Sequence, residues 1–526
     1  MAGFSSRKTI IYWIRNDLRL HDNECLNFAC RDGSHVLPLY CFDPDHYKLT
    51  HHFGFLKTGI HRAKLILDAV SGLRTSLQKK GSNLIISKQR PKEAIEKLIF
   101  ECEQTAPVTS IVFQKEIAKE ETDVEESVFK VCDSKGIKVL PFWGSTLYHI
   151  EDIPFQINQI PNTYTLFRKG VEKCPVRKLN PIPDKISSLP NLENFSIGEV
   201  PLLKELGFDK NEYETDIRSV FPFNGSEVDA IKRLNEYLWG NNAILTYKET
   251  RNGLLGKDYS TKFSPWLTLG SLSPRMIYHK IKEYEEQKKI KENDSTYWVV
   301  FELIWRDYFK FICLKHGSKV FFKGGLKGGK GPWTWKQDLN LFMKWANGDT
   351  GIPFVDANMK ELLATGWMSN RGRQNVASFL VKDLNLDWRM GAEWFESLLI
   401  DSDVCSNYGN WNYIAGIGND PRSNRKFNVI KQAADYDKEG DFVRTWLPVL
   451  KKLGICHTPW RLSASELNAG GVDLGKNYPH PIIVAPEWAK HALNMNSKNC
   501  FHEHRGKQNG QKRSIDFYFK SGKTGQ

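Results

Sequence analysis

The sequence lacks the features that mark membrane, secreted and metal-binding proteins. No apolar run is long enough to span a bilayer, and the first residues mix charges with a strand-like pattern that is not typical of a signal peptide. The 10 cysteines are scattered without a CxxC pair or a His/Cys cluster, so neither a disulfide framework nor a metal site is indicated. We therefore expect an intracellular protein of a reducing compartment, in the nucleus or cytoplasm rather than in an organelle.

Two common nucleotide-binding motifs are also missing. No GxGxxG follows the first predicted strand, so nothing local indicates dinucleotide binding by the N-terminal region. The loop at Gly324–Lys330 matches GxxxxGK, but Gly331 and Pro332 follow where a phosphate-binding loop needs Ser or Thr and then a helix. We interpret this segment as a flexible basic surface loop.

What the chain does contain is length, positive charge and tryptophan. With 526 residues it exceeds the size of one hydrophobic core, so two or more domains are expected. The net charge of +13 favours a polyanionic partner, although charge alone does not separate DNA from RNA or an anionic membrane. The 16 tryptophans are a high count for a globular chain.

Pattern changes divide the chain into four parts. Residues 1–150 alternate short runs such as TIIYWIR, HVLPLYCF and SIVFQ with helical patterns, which predicts a doubly wound parallel α/β sheet. Residues 151–222 are punctuated by proline and resemble a long surface connector. Residues 223–485 carry helical patterns throughout, which predicts an all-α domain, and residues 486–526 resemble a basic, disordered tail.

Two short constellations could carry chemistry. In FELIWRDYF, the spacing puts Glu302, Trp305 and Arg306 on one helical face, where a carboxylate beside an aromatic plane suits a flat heterocycle. The alternative is a surface ion pair beside a half-buried tryptophan. In LIDSDVCSNYGNWNY, Asp401 and Asp403 could bind a metal or a cofactor, act as a catalytic dyad, or simply cap a helix.

Two further stretches have the composition of an anion-binding surface. STKFSPW offers three hydroxyl groups and Lys262, which suits phosphate but also any loop before a helix. A second set mixes basic and aromatic side chains as in a groove for single-stranded nucleic acid, or as on an ordinary solvated face. Its members are Arg371, Arg373, Arg422, Arg425 and Lys426 with Trp367, Trp411 and Tyr413.

These pieces occur in the order found in one family. WIRNDLRLHDN resembles the opening strand and turn of photolyases and cryptochromes, and STKFSPWLTLGSLSPR, ELIWRDYF and DSDVCSNYGNWNYIAG resemble their flavin-binding half. The similarity extends from about residue 9 to about residue 450, and YKETRNGLLGKDYSTKFSPWL is similar to the cryptochrome DASH branch. The resemblance implies a photolyase-like fold, an α/β sheet domain followed by a helical domain that holds FAD.

The resemblance also implies which residues hold the flavin. Tyr247 and Ser260, Thr261, Lys262, Phe263 and Ser264 would surround the FAD phosphates and ribitol. Arg306, Asn370, Arg373, Asp401 and Asp403 would contact the isoalloxazine and its surroundings, and Asn407 would face flavin N5. Trp411, Trp388 and Trp335 match the family's tryptophan chain, which reduces oxidised flavin.

The function that the resemblance implies is repair of cyclobutane pyrimidine dimers by light-driven electron transfer. Six residues would contact DNA or the lesion: Arg251, Glu302, Trp305, Arg371, Gln374 and Tyr413. In DNA photolyases a tryptophan stands where this chain has Tyr413, and a methionine where it has Gln374. Because these changes reduce apolar stacking against a flipped-out dimer, we expect repair in single-stranded DNA and not in duplex DNA. The alternative is a blue-light signalling photoreceptor or transcriptional regulator with little repair activity.

Two additional expectations concern an antenna and a partner. The resemblance implies methenyltetrahydrofolate as an antenna pigment between the domains, with Glu116 and Glu120 as candidate pterin contacts. In the tail, KRSIDFYF at Lys512–Phe519 resembles a sliding-clamp-binding box, because Ile515, Tyr518 and Phe519 have the required spacing. Lys512 stands where that box has glutamine, and an inert tail is the alternative.

Overall fold

A computed structural model describes residues 8–190, 196–291, 293–328, 334–420, 422 and 425–492. The N-terminal part contains one five-stranded parallel sheet with strand order β3-β2-β1-β4-β5. Its strands are β1 (Thr9–Ile14), β2 (His35–Cys41), β3 (Ile85–Ser87), β4 (Val108–Gln114) and β5 (Lys138–Phe142). The helices of this part are α1 (Glu24–Asp32), α2 (Ile60–Lys79), α3 (Pro91–Cys102) and α4 (Lys119–Ser134).

The sheet is buried on both faces, which is why its strands are continuously apolar instead of alternating with polar residues. In β1, Ile10, Tyr12 and Ile14 pack towards α1 and α2. The intervening Ile11 and Trp13 pack towards α3 and α4 on the opposite face. The doubly wound parallel sheet expected for the first 150 residues is therefore confirmed.

The remainder of the described chain is helical. Its helices are α5 (Tyr164–Val171), α6 (Glu227–Asn235), α7 (Tyr247–Thr250), α8 (Ser264–Leu269), α9 (Pro274–Gln287), α10 (Asp294–His316), α11 (Leu339–Ala346), α12 (Pro353–Thr365), α13 (Asn370–Ser378), α14 (Trp388–Leu398), α15 (Val404–Ala415), α16 (Val429–Tyr436), α17 (Asp441–Trp446) and α18 (Ala464–Gly470). The 23-residue α10 packs against α15, and α15 packs against α14. This confirms an all-α second half.

The connector prediction for residues 151–222 is only partly right. The segment forms α5, and Tyr164, Phe167 and Val171 are buried in the core that also contains Leu303 and Tyr308 of α10. Prolines on either side obscured the spacing of three and then four residues between these apolar positions, so the sequence pattern looked irregular. One wall of the candidate site, described below, depends on this helix.

The tail prediction also starts too early. Trp488 is 1% exposed and packs in the main helical core, so the first residues after Pro486 belong to the folded part. The sliding-clamp-like box at Lys512–Phe519 lies outside the described residues. No described helix is long and apolar enough to cross a membrane, and all nine cysteines in the described ranges are free thiols.

Candidate functional site

A cavity of about 500 Å³ lies in the helical half, between α10, α13, α15 and the loop that precedes α8. The structure brings to its walls almost every residue that the sequence predicted for flavin or lesion. These are Tyr247, Arg251, Ser260, Thr261, Lys262, Phe263, Ser264, Glu302, Trp305, Arg306, Asn370, Arg373, Gln374, Asp401, Asp403, Asn407, Trp411 and Tyr413. They come from five separate chain segments, so their convergence is a result of the fold.

One wall is organised around the Asp401 carboxylate. Arg373 donates from Nη2 to both carboxylate oxygens at 3.0 and 2.9 Å, and Ser264 Oγ donates at 2.6 Å. Asp401 is 8% exposed, and a buried carboxylate needs such partners to remain ionised. The three side chains therefore form a fixed polar wall that α13, α8 and the end of α14 supply jointly.

Asp403 and Asn407 both lie at the start of α15. Asp403 accepts a hydrogen bond from Ser406 N at 2.7 Å, so it is the N-cap of α15 and also lines the cavity. Of the alternatives given for Asp401 and Asp403, the helix cap is therefore correct for Asp403. The same side chain also faces the cavity, where a cofactor could contact it. Asn407 donates from Nδ2 to Ala392 O at 2.9 Å, which leaves its carbonyl oxygen available in the cavity.

The loop at residues 260–264 is held open by a side chain that the sequence analysis did not single out. Arg233 is 1% exposed and donates to the carbonyl oxygens of Thr261 at 3.0 Å, Lys257 at 2.9 Å and Ser260 at 3.2 Å. Because the loop carbonyls are bound to Arg233, the hydroxyl and ammonium groups of Ser260, Thr261 and Lys262 remain for the cavity side. The helical pattern of α6 alone gave no signal that Arg233 contacts this loop.

Lys262 is the most unusual residue of this loop. Its backbone has a φ of 59°, a left-handed conformation uncommon for a non-glycine residue. Burial lowers the pKa of its ammonium group to about 8. Within the described part of the chain, Ser260 Oγ at 3.3 Å is the hydrogen-bond partner of this buried cation, which fits a site for an anionic group such as a cofactor phosphate.

The opposite end of the cavity is aromatic and carries an ion pair. Arg251 Nη2 and Glu302 Oε1 form an ion pair at 2.8 Å. The pKa of the Glu302 carboxyl is raised overall, because burial raises it by more than the neighbouring Arg251 lowers it. The rings of Trp305 and Tyr413 have centroids 6.0 Å apart and planes at 89°, so they form a corner instead of two parallel walls. A flat ligand that stacked on one ring would therefore meet the edge of the other.

Tyr164 of α5 covers one face of Trp305. The ring centroids are 3.7 Å apart, the planes are within 6° of parallel, and Tyr164 Oη donates to Phe301 O at 2.8 Å. Trp305 is thus fixed from behind and can offer only its other face to a ligand. The sequence analysis missed Tyr164 because it lies in the segment interpreted as a connector.

Two residues of the predicted lesion set differ in their surroundings. Gln374 lines the cavity, and its Oε1 is buried without a hydrogen-bond partner. Arg371 does not line the cavity. Its guanidinium donates to Asn252 Oδ1 at 3.0 Å and lies 4.4 Å from the Tyr436 ring centre, so it supports the neighbouring structure.

The three predicted chain tryptophans lie in a continuous part of the helical core. Trp411 is 2% exposed and lines the cavity, and its ring packs against α14 so closely that a Cβ on Gly391 would lie 2.2 Å from it. Trp388 begins α14 one turn before Gly391. A backbone bridge at Lys336, with hydrogen bonds of 2.9 and 2.8 Å, holds the segment of Trp335 beside the residues that lead into Trp388.

The two predicted antenna contacts have different environments. Glu120 is exposed, with 70% of its side-chain surface accessible, and pairs with Lys57. Glu116 is 2% exposed and is already bound, accepting from Asn16 Nδ2 at 3.1 Å and lying 3.6 Å from Lys310 Nζ. Of these two carboxylates, Glu120 is the one exposed at the surface.

Comparison with known proteins identifies the family. Residues 10–185 match the family model described as DNA photolyase, and residues 298–498 match the FAD-binding domain of DNA photolyase. A cryptochrome DASH from Xenopus laevis is 52% identical over 98% of this chain and 99% of its own length. The chain belongs to the cryptochrome DASH branch of the photolyase/cryptochrome family. The predicted resemblance is therefore confirmed.

Solved structures confirm the photolyase-like fold. A cryptochrome from Synechocystis superposes with a TM-score of 0.86 and 44% identity, covering 93% of this chain and 99% of that one. A class III photolyase from Agrobacterium tumefaciens has a TM-score of 0.78 and 26% identity, over 95% and 99% of the two chains. Because the helical half matches an FAD-binding domain, FAD is the cofactor that this cryptochrome DASH fold implies for the cavity.

Proposed function

We propose that this cryptochrome DASH repairs cyclobutane pyrimidine dimers in single-stranded DNA under light. The observation that supports this most directly is that one cavity carries both predicted sets of residues. The polar wall of Asp401, Arg373 and Ser264 belongs to the flavin set, and the aromatic corner of Trp305 and Tyr413 belongs to the lesion set. A cofactor and a flipped-out pyrimidine dimer would therefore share one cavity.

The cavity residues fit FAD on the chemistry that they offer. Lys262, Ser260 and Thr261 would bind the phosphates, and Arg373 with Asp401 and Asn407 would contact the ring system. When bound and reduced, FAD would supply the electron for light-driven opening of the cyclobutane ring. Trp411, Trp388 and Trp335 would deliver electrons from the surface to this cavity.

The protein's own contribution to repair is placement and exclusion of water. Trp305 would offer its free face to the dimer while Tyr164 holds its other face. Glu302, positioned by Arg251, would accept hydrogen bonds from the edge of a thymine base. Arg425 also lines the cavity and lies 4.7 Å from the Phe427 ring centre, so it is placed to meet a phosphate at the cavity mouth.

The preference for single strands follows from the shape of the aromatic corner. Stacking contributes about 1–3 kcal/mol per base, while extruding a base from a duplex costs a few kcal/mol. Tyr413 presents a smaller ring than tryptophan, and Gln374 adds an unpaired amide oxygen to the wall. The stacking that remains would suffice for a dimer already free of a duplex.

Illumination of the purified, reduced protein with dimer-containing oligothymidylate tests this proposal. We expect the thymine absorbance to recover with the single strand and to remain low with the same strand annealed to its complement. Equal recovery in both would refute the strand preference. Light-dependent binding of a protein partner without loss of dimers would instead favour the signalling alternative.

An antenna pigment forms the second part of the proposal. Methenyltetrahydrofolate would bind between the domains, with Glu120 as its accessible carboxylate and Glu116 committed to Lys310. Reconstitution with the folate should add an absorbance band that Glu120→Gln weakens and that Glu116→Gln leaves unchanged.

A further inference from the structure

A buried ion cluster joins the flavin cavity to the N-terminal sheet domain. Lys310 of α10 is 5% exposed, and its Nζ lies 3.8 Å from Asp403 Oδ2 and 3.6 Å from Glu116 Oε2. Glu116 follows β4, whereas Asp403 lines the cavity at the start of α15. One ammonium group is therefore shared by two carboxylates that come from the two halves of the molecule.

The cluster is too well buried for water to balance its charges. Glu116 is 2% exposed, and Asp403, which lines the cavity, shows 12% of its side-chain surface. Buried charges remain stable only when they are paired, and removal of one partner leaves the other uncompensated. Burial lowers the pKa of the Lys310 ammonium group, but Glu116 and Asp403 raise it by more than burial lowers it. The group therefore keeps its positive charge.

The neighbouring groups do not replace this charge. Arg306 lies one turn earlier on α10, and its guanidinium is bound to the carbonyl oxygens of Ser145 and Leu267, the latter at 3.0 Å. Asp403 has its other oxygen on Ser406 N, which caps α15. Lys310 is thus the cation that faces the second oxygen of Asp403.

We propose that Lys310 is a positioning residue that tunes the flavin's reduction potential, by balancing Asp403 at the cavity wall against Glu116 from the sheet domain. The inference rests on the proposed flavin site. A fixed positive charge beside a low-dielectric cavity favours an anionic occupant over a neutral one. Reduced flavin is an anion, so the loss of this charge makes reduction less favourable.

The direct test is a redox titration of the FAD-loaded protein at one fixed, mildly alkaline pH. We expect Lys310→Met, which removes the Lys310 charge and leaves Arg306 in place, to lower the equilibrium constant for two-electron flavin reduction about tenfold, which corresponds to about 30 mV. Lys310→Arg should restore the wild-type value, because the positive charge returns. Cys313→Ala, one turn away on the same helix, is the packing control, since it removes buried volume without changing charge.

A second variant keeps the proposal testable if Lys310→Met fails to fold. Glu116→Gln removes one negative charge from the cluster and should shift the potential upwards, opposite to Lys310→Met. If both variants, or Glu116→Gln alone, give the wild-type potential, the proposal is overturned. A wild-type protein that takes up no FAD would overturn the proposed function itself, whereas FAD uptake with unmoved potentials would count against Lys310 only.

Discussion

The stack of Tyr164 on Trp305 gives the sharpest prediction about lesion binding. We expect Tyr164→Leu to weaken binding of dimer-containing single strands, because Trp305 loses the ring that fixes its orientation. Aromatic pairs contribute about 0.5–1.5 kcal/mol beyond the area that they bury. The two rings lie 3.7 Å apart between centroids and within 6° of parallel, nearly eclipsed, which is less favourable than an offset pair. We therefore use the lower range, about 0.5–1 kcal/mol, which is roughly a twofold to fivefold loss of affinity.

The matched control is Tyr164→Phe, which removes only the hydroxyl that donates to Phe301 O at 2.8 Å. Dissociation constants should be measured for a dimer-containing strand and for the same strand without the dimer. Tyr164→Leu should weaken only the first, while FAD content and Tyr164→Phe affinity remain at wild-type values. If Tyr164→Leu binds the dimer-containing strand as tightly as the wild type does, Trp305 does not need the Tyr164 ring to fix its orientation. If phenylalanine loses as much as leucine, the hydrogen bond and not the stack orients the site.

Three further predictions concern strand preference, pH and electron delivery. Tyr413→Trp combined with Gln374→Met should raise the rate of duplex repair relative to single-strand repair about fivefold, because about 1 kcal/mol of stacking is added. An unchanged ratio of the two repair rates under equal light would contradict this. Because burial raises the pKa of Glu302 and protonation removes its ion pair, dimer affinity should fall as pH falls through that raised pKa, and titration of Glu302→Gln should show a flat profile. Trp388→Phe should slow photoreduction of the oxidised flavin at least tenfold, because the supply of electrons is lost. Repair by chemically reduced protein should stay normal. Equal photoreduction rates in the variant and the wild type would show that electrons take another route.

Local sequence patterns were sufficient to predict the sheet domain. Strands β1, β2 and β4 are short, mostly apolar runs with buried residues on both faces, and the intervening helices have apolar positions at helical spacing. The site residues could be named only through long motif matches, because spacing alone did not distinguish a cavity wall from a surface ion pair. Asp403 shows why, since it is both the helix cap that local spacing suggests and a cavity residue.

The residues that sequence reasoning missed all act across long separations. Arg233 holds the loop at residues 260–264, Tyr164 supports a tryptophan 141 positions later, and Lys310 pairs with Glu116 from another domain. No local pattern encodes such a pairing, because each partner has an ordinary role on its own element. Arg371 remains a predicted lesion contact, and without DNA its guanidinium donates to Asn252 and packs on the Tyr436 ring.

Helix α10 connects these observations. Glu302, Arg306 and Lys310 are spaced four residues apart, so they lie along one stripe of the helix. The first pairs with Arg251 at the lesion end, the second binds Ser145 O and Leu267 O, and the third reaches Asp403 and Glu116. A displacement of this helix would therefore change lesion contacts, cavity wall and domain contact together. For that reason we expect variants at the domain contact, such as Glu116→Gln, to alter the flavin although they touch no cavity residue, and an unaltered flavin spectrum and potential in that variant would show that the stripe does not couple its ends.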